Sequence, residues 1–114
     1  MPVGTRFALS SVLTALGLVV PGAIAQSKGG GSAAAGASVF EQCSVCHEAT
    51  SDMRKLGPSL KGLFKRKTFL NGRAKVSEQA VRLRIDSGGE GMPPYEEMLD
   101  RKEKDDLIAY LKSI

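Results

Sequence analysis

The sequence predicts one small all-α domain, and three observations lead to that prediction. The chain has 114 residues, which is enough for a single domain with a modest core. Residues 101–114 place apolar side chains at helical spacing behind a capping signal. Residues 77–86 begin with a serine N-cap and end at two glycines, which indicates a second helix.

The first 25 residues resemble a secretory signal peptide. Arg6 precedes an apolar run over residues 7–20, and Ala25 ends a small-residue cleavage site. The run has 14 residues, fewer than the ~20 that span a bilayer, although an uncleaved anchor is the alternative. We therefore expect cleavage after Ala25, export to the periplasm and no stable membrane span in the mature protein.

Residues 26–36 are rich in Gly, Ala and Ser, which predicts a flexible linker. The folded domain is then expected over residues 37–114. A first helix should begin near Ser38 and carry Val39 and Phe40 towards the next motif.

Cys43, Cys46 and His47 form a Cys-x-x-Cys-His run, the pattern of c-type haem attachment. Each thiol can bond to a haem vinyl group, and the histidine can then ligate the iron. A structural disulfide would leave His47 without a role. A thioredoxin-like pair needs a βαβ setting, and a zinc site needs more ligands than this chain offers. The expected cofactor is one covalent haem c with its iron.

The iron needs a sixth ligand, and the chain has only one histidine. The candidates are Met53, Met92, Met98 or an open position. Met53 lies too close to His47 along the chain, and Met98 is expected to pack before the last helix. Met92 lies in a Gly- and Pro-rich loop that would hold it rigidly, which favours it as a metal ligand beside His47. A buried core methionine is the alternative.

Two further segments complete the helical prediction. Ser77 is the expected N-cap of a helix to about Asp86, although its apolar alternation also fits a strand. Asp100 and Glu103 have capping-box spacing at the start of the last helix. That helix should bury Leu107, Ile108, Leu111 and Ile114 on one face.

Taken together, these residues resemble the class I cytochrome c family in its compact bacterial monohaem form. The likeness covers residues 36–114. It implies a small cytochrome c fold in which helices wrap around one covalently bound haem. It also implies that Gly36 and Phe40 pack against Tyr110 and Leu111 on the last helix.

The resemblance implies two further cofactor-binding residues. The Pro58 carbonyl should accept a hydrogen bond from His47 and so orient the ring. Arg66 should contact a haem propionate, with a free surface arginine as the alternative because Lys65 replaces the family's usual glycine.

Charge is distributed unevenly along the chain. Residues 54–84 hold ten basic residues and one acid, whereas residues 90–106 hold seven acids and three bases. The basic segment is either a docking face for an acidic partner or ordinary solvated surface. Export and the lack of an aromatic platform argue against a nucleic-acid partner.

The sequence thus predicts a one-electron carrier and not an enzyme. Its partners would be a donor dehydrogenase or respiratory complex and a terminal acceptor. It would act as a monomer or as the haem-bearing subunit of a periplasmic oxidoreductase complex. A gas-binding sensor with a displaceable Met92 is a further alternative.

Overall fold

The computed structural model describes residues 30–114 together with Gly4 and Gly17. The described residues form three α-helices and one 3-10 turn: α1 (Ala33–Phe40), the 3-10 turn (Leu63–Lys65), α2 (Glu78–Ser87) and α3 (Arg101–Ser113). Their only β-type pairings are two isolated bridges. The all-α prediction is confirmed. The predicted signal peptide and linker residues 26–29 lie outside the described residues, apart from the two glycines.

Helix α1 begins at Ala33, five residues before the predicted start. The expected start near Ser38 is therefore wrong, and so is the flexible linker over residues 33–36. Three consecutive alanines favour a helix more strongly than the neighbouring glycines oppose it. Ser32 caps the helix, since its hydroxyl accepts from the Ala35 amide at 3.2 Å.

Helices α1 and α3 cross at a glycine. A Cβ at Gly36 would collide with the Asp106 carbonyl oxygen and lie 2.7 Å from Tyr110 Cβ. One turn later, the Phe40 and Tyr110 rings pack with their centroids 5.2 Å apart. Leu111 is buried on the same side of α3. The helix pairing that the resemblance implied is confirmed.

The segment after Ser77, whose apolar alternation also fits a strand, is the helix α2. Ser77 caps it by accepting from the Ala80 amide at 3.0 Å, and Gly88 ends it with φ of 63°. Val81 and Ile85, four residues apart, are buried, whereas Leu83 between them is 63% exposed. That spacing is helical, because a strand would have buried all three.

Helix α3 starts with the predicted capping box of Asp100 and Glu103. Its buried apolar residues include Leu107 and Ile108, the two most completely buried side chains of the described part. The core around them is small. Its buried members are Phe40, Ala49, Leu63, Val81, Ile85, Leu99, Leu107, Ile108 and Leu111.

The helices are short, and none of those in residues 30–114 has the length and hydropathy needed to cross a bilayer. Long irregular segments connect them. The two that matter for the site are residues 41–62, which follow α1, and residues 88–99, which join α2 to α3.

Candidate functional site

The Cys-x-x-Cys-His run continues directly from α1 as a series of helical turns. The amides of Cys43 and Ser44 both bond to the Phe40 carbonyl, at 2.8 and 2.9 Å. The amides of Cys46 and His47 both bond to the Cys43 carbonyl, at 3.1 and 2.9 Å. Residues three and four apart lie on one side of such a turn, so the two thiols and the imidazole share one side.

His47 is held by a hydrogen bond from behind. Its Nδ1 lies 2.8 Å from the Pro58 carbonyl oxygen, which is the contact that the resemblance implied. A carbonyl oxygen can only accept, so Nδ1 carries the proton and Nε2 of the neutral ring keeps a free lone pair. That nitrogen is therefore the one available to a metal.

Gly57 allows the Pro58 loop to approach the histidine. A Cβ on Gly57 would lie 2.5 Å from His47 Cε1 and 2.8 Å from His47 Nδ1. The Gly57 amide also bonds to the Cys46 carbonyl at 2.8 Å. Two hydrogen bonds thus fasten this loop to the Cys-x-x-Cys-His run.

The two cysteines form no disulfide, and each is partly buried. Burial, and to a lesser extent the neighbouring Cys46, raises the pKa of Cys43 to about 11. The first thiol of a redox-active Cys-x-x-Cys pair has a lowered pKa instead. No cluster of three or more His, Cys, Asp or Glu residues suited to a metal occurs in the described part of the chain. The raised pKa of Cys43 is thus the opposite of what a thioredoxin-like pair needs.

Met92 lies at the end of a tight turn. Gly89 and Met92 bond to each other twice, from N–H to carbonyl, at 2.9 and 3.1 Å. The intervening Glu90 and Gly91 both have positive φ, 54° and 90°. Gly88 packs against the same loop, since a Cβ there would lie 2.7 Å from the Pro93 carbonyl carbon. These glycines shape the turn itself.

Tyr95 connects this loop to the cysteines. Burial raises the pKa of its hydroxyl, and the nearby Cys43 and Cys46 thiols raise it further. Cys43 and Tyr95 also pack against the same hydrophobic core. The segment that carries Met92 therefore returns to the side of the molecule where the thiols lie.

The other candidate methionines differ from Met92 in exposure. Met53 is 64% exposed and Met98 is 63% exposed, whereas Met92 is half-buried. The expected packing of Met98 before α3 is wrong. Leu99 occupies the buried position at that point instead.

Arg66 bonds to backbone in the described structure. Its guanidinium donates to the Ser59 carbonyl at 3.2 and 3.3 Å and to the Lys61 carbonyl at 2.7 Å. Three of its five N–H donors are thus engaged, and two are left. The side chain also lines a cavity beside Pro58, together with Arg54. Arg66 is therefore not a free surface arginine.

Two buried charges were missed in the sequence. Lys104 and Asp106 are 9% and 4% exposed, although both residue types are usually exposed. A signal was available for the first of them. Lys104 lies three residues before Leu107, on the apolar stripe of α3, where a charge needs a buried partner.

Comparison with known proteins decides the family. The family model "Cytochrome c" matches residues 33–114, which is most of the chain. The chain belongs to the cytochrome c family. As a member of this family it carries haem c, attached covalently, and it is a monohaem electron carrier.

A solved structure shows the same fold. Cytochrome c6 from the diatom Phaeodactylum tricornutum superposes with a TM-score of 0.55 at 22% identity. The match covers 73% of this chain and 93% of the diatom protein. No curated protein matches the chain in sequence.

The residues present fit the haem that the family implies. Cys43 and Cys46 form no disulfide, and the hydrogen bond to Pro58 leaves His47 Nε2 able to bind iron. Val45, within the run, is 72% exposed, and Leu56, which precedes Gly57, is 82% exposed.

Proposed function

We propose that this cytochrome c is an exported carrier with both axial positions of its iron filled by protein side chains. Cys43 and Cys46 would hold the haem through thioether bonds, His47 would ligate the iron through Nε2, and Met92 would ligate it from the opposite face. When bound, the haem supplies reversible one-electron chemistry.

One observation supports this proposal most strongly. The His47 ring is fixed by the 2.8 Å contact with Pro58 and by the absence of a side chain at Gly57. A fixed tautomer and a fixed ring plane are what an iron ligand needs, and they strengthen the imidazole as a donor.

The Met92 loop supports the second ligand. Its turn is closed by two backbone hydrogen bonds, and Pro93 restricts the backbone of Met92 itself. A thioether ligand favours the reduced iron more than a second imidazole would, so the reduction potential should be raised. A stiff loop also keeps the ligand in place when the charge on the iron changes.

Arg66 would contribute from the edge of the site. Its two remaining donors would be available to an anionic group such as a propionate, while the other three hold the Ser59 and Lys61 carbonyls. In this arrangement Arg66 supports the Pro58 loop as well as the cofactor.

The setting of the carrier belongs to the same proposal. The leader over residues 1–25 would direct it to the periplasm, where it would exchange electrons with a donor dehydrogenase or respiratory complex and with a terminal acceptor. It would serve as a monomer or as a subunit of a larger oxidoreductase complex, and it would catalyse no reaction of its own.

Spectroscopy of the haem-loaded protein tests the ligand set. The oxidised protein should show the weak far-red absorption band of methionine–iron ligation, and the reduced protein should bind carbon monoxide poorly. Met92→Ala should lose the band and bind carbon monoxide readily, because its iron would have an open position. Met98→Ala, which removes an exposed methionine, is the matched control and should behave as the wild type.

The gas-binding alternative makes the opposite prediction. If the wild type binds carbon monoxide rapidly and tightly, and Met92→Ala does not change this, the closed-site proposal is wrong.

A further inference from the structure

A buried lysine lies beneath the loop that carries Met92. Lys104, on the first turns of α3, is 9% exposed, and its side chain points towards the end of α2. Its Nζ lies 2.7 Å from Asp86 Oδ1 and donates to the Glu96 carbonyl at 3.0 Å. A buried ammonium is stable only when charges and acceptors surround it in this way.

The carboxylate of Asp86 depends on the same contact. Its Oδ1 atom is buried and accepts no aligned hydrogen bond from the described residues. The Lys104 ammonium at 2.7 Å is therefore the charge that compensates it. Removal of Asp86 would leave the buried Lys104 ammonium without its counter-charge, and removal of Lys104 would leave the buried Oδ1 atom of Asp86, whose side chain is 26% exposed, without compensation.

The two residues that Lys104 touches form the base of the Met92 loop. The Tyr95 amide bonds to the Ile85 carbonyl at 2.9 Å, and the Glu96 amide bonds to the Asp86 carbonyl at 3.3 Å. Lys104 contacts the Asp86 side chain at the start of the loop and the Glu96 carbonyl at its end. It thereby fastens both ends of the loop to α3.

The remaining charged contacts of the loop lie at the surface. Glu90 pairs with Arg73 at 3.3 Å and with Arg84 at 4.0 Å, and all three side chains are more than 40% exposed. Exposed pairs of this kind contribute little to stability. Among the described residues, Lys104 makes the buried ionic contact that holds the loop base.

We infer that Lys104 is a positioning residue for the iron ligand Met92 and acts through Asp86 and the base of the loop. This inference rests on the proposed function, because it takes Met92 as the sixth ligand. Without the ammonium, the loop base should open more often, and Met92 should leave the iron more often.

The test uses the haem-loaded full chain and imidazole as an external ligand. Imidazole binds the oxidised iron only where Met92 has left, so its apparent affinity reports the open population. Lys104→Met keeps the apolar stem and removes the charge. We expect imidazole to bind it about tenfold more tightly than the wild type, with a weaker far-red band. Lys104→Arg should restore most of the wild-type behaviour.

Lys102→Met is the matched control. Lys102 lies on the same helix and also pairs with a buried aspartate, Asp106, at 2.6 Å, but that pair faces the start of α1. It should lower thermal stability and leave imidazole affinity within about twofold of the wild type.

Two results would overturn the inference. One is that Lys104→Met and Lys102→Met bind imidazole equally, which would make the buried pair a general stabiliser. If Lys104→Met does not fold, Asp86→Asn takes its place. The second contrary result is then that imidazole binds Asp86→Asn no more tightly than it binds the wild type. Failure of the proposed function looks different, because the wild type would then lack the far-red band and Met92→Ala would bind imidazole no more tightly.

Discussion

Two contacts, one at the candidate site and one between helices, exist only because a glycine has no side chain. Gly57 lets the Pro58 loop reach the His47 ring, and Gly36 lets α1 lie directly on α3. Gly57 directly precedes Pro58, and a Gly-Pro pair is a turn signal in any sequence. The sequence marked Gly36 only through the family resemblance, because a glycine after an alanine run otherwise indicates a linker.

Gly36→Ala tests the helix crossing at residue scale. In a free helix this change would stabilise by about 1 kcal/mol, because alanine is the better helix former. Here the new Cβ would collide with the Asp106 carbonyl oxygen and crowd Tyr110, so we expect a net loss of about 1–3 kcal/mol. Urea unfolding of the haem-loaded protein measures it.

The neighbouring exposed position is the control for this change. Ala37→Gly should cost only about 1 kcal/mol, the difference in helix propensity. A gain in stability for Gly36→Ala would show that the crossing is less tight than the structure indicates.

At the scale of elements, the start of α1 depends on a carboxylate from α3. Asp106 Oδ1 accepts from the Ser32 amide at 2.7 Å, and Asp106 Oδ2 accepts from Lys102 Nζ at 2.6 Å. The pKa of this carboxyl lies below its usual value of 3.8. The hydrogen bond from Lys102 is the largest cause, and the hydrogen bond from the Ser32 amide is the next. This contact explains why the helix extends back into the predicted linker.

The lowered pKa of Asp106 predicts a pH dependence with a definite sign. The ionised form is favoured in the folded state, so its contribution is fully present above pH 3.8 and is lost as the pH falls through the lower folded pKa. Asp106→Asn should therefore be less stable than the wild type at neutral pH, and the difference should shrink in acid.

Urea midpoints of the two proteins at neutral pH and below pH 3.8 measure this difference. Asp105→Asn, which removes the partner of Arg82 from the half-exposed side of α3, is the control for the loss of a carboxylate charge on this helix. A difference between wild type and Asp106→Asn that is the same at both pH values would contradict the assignment.

At the scale of the whole molecule, pairing reduces the positive charge of the basic segment over residues 54–84. Five of its ten basic residues form ion pairs, including Lys55 with Glu48 and Lys61 with Asp52. Arg66 is bonded to backbone carbonyls. The other four basic side chains of the segment, Arg54, Lys65, Lys67 and Lys75, have no acidic partner within 4.0 Å among the described residues. Any electrostatic steering would depend mainly on these four.

The salt dependence of electron transfer tests whether that charge matters. Oxidation of the reduced protein by the anion hexacyanoferrate(III) should slow as ionic strength rises, because salt screens the attraction. Lys67→Glu should slow it about threefold or more at low salt. Arg101→Glu makes the same change in net charge outside the segment and should have a smaller effect. A rate that is insensitive to salt would identify the segment as ordinary solvated surface.

The sequence by itself determined the local features. The Cys-x-x-Cys-His run, the caps at Ser77 and Asp100, and the glycine stop after α2 are short-range patterns whose chemistry needs no distant partner. For the same reason the candidate haem-attaching residues could be proposed without a structure.

Only the tertiary structure decided the features that depend on residues far apart in the chain. The start of α1 is set by Asp106, 74 residues away from Ser32. The base of the Met92 loop is held by Lys104. In the sequence this residue resembles an ordinary surface lysine of a helix, and only its position on the apolar stripe of α3 indicates burial. Packing between distant segments overrides local composition in both cases, because burial makes an unpaired charge too costly to leave alone.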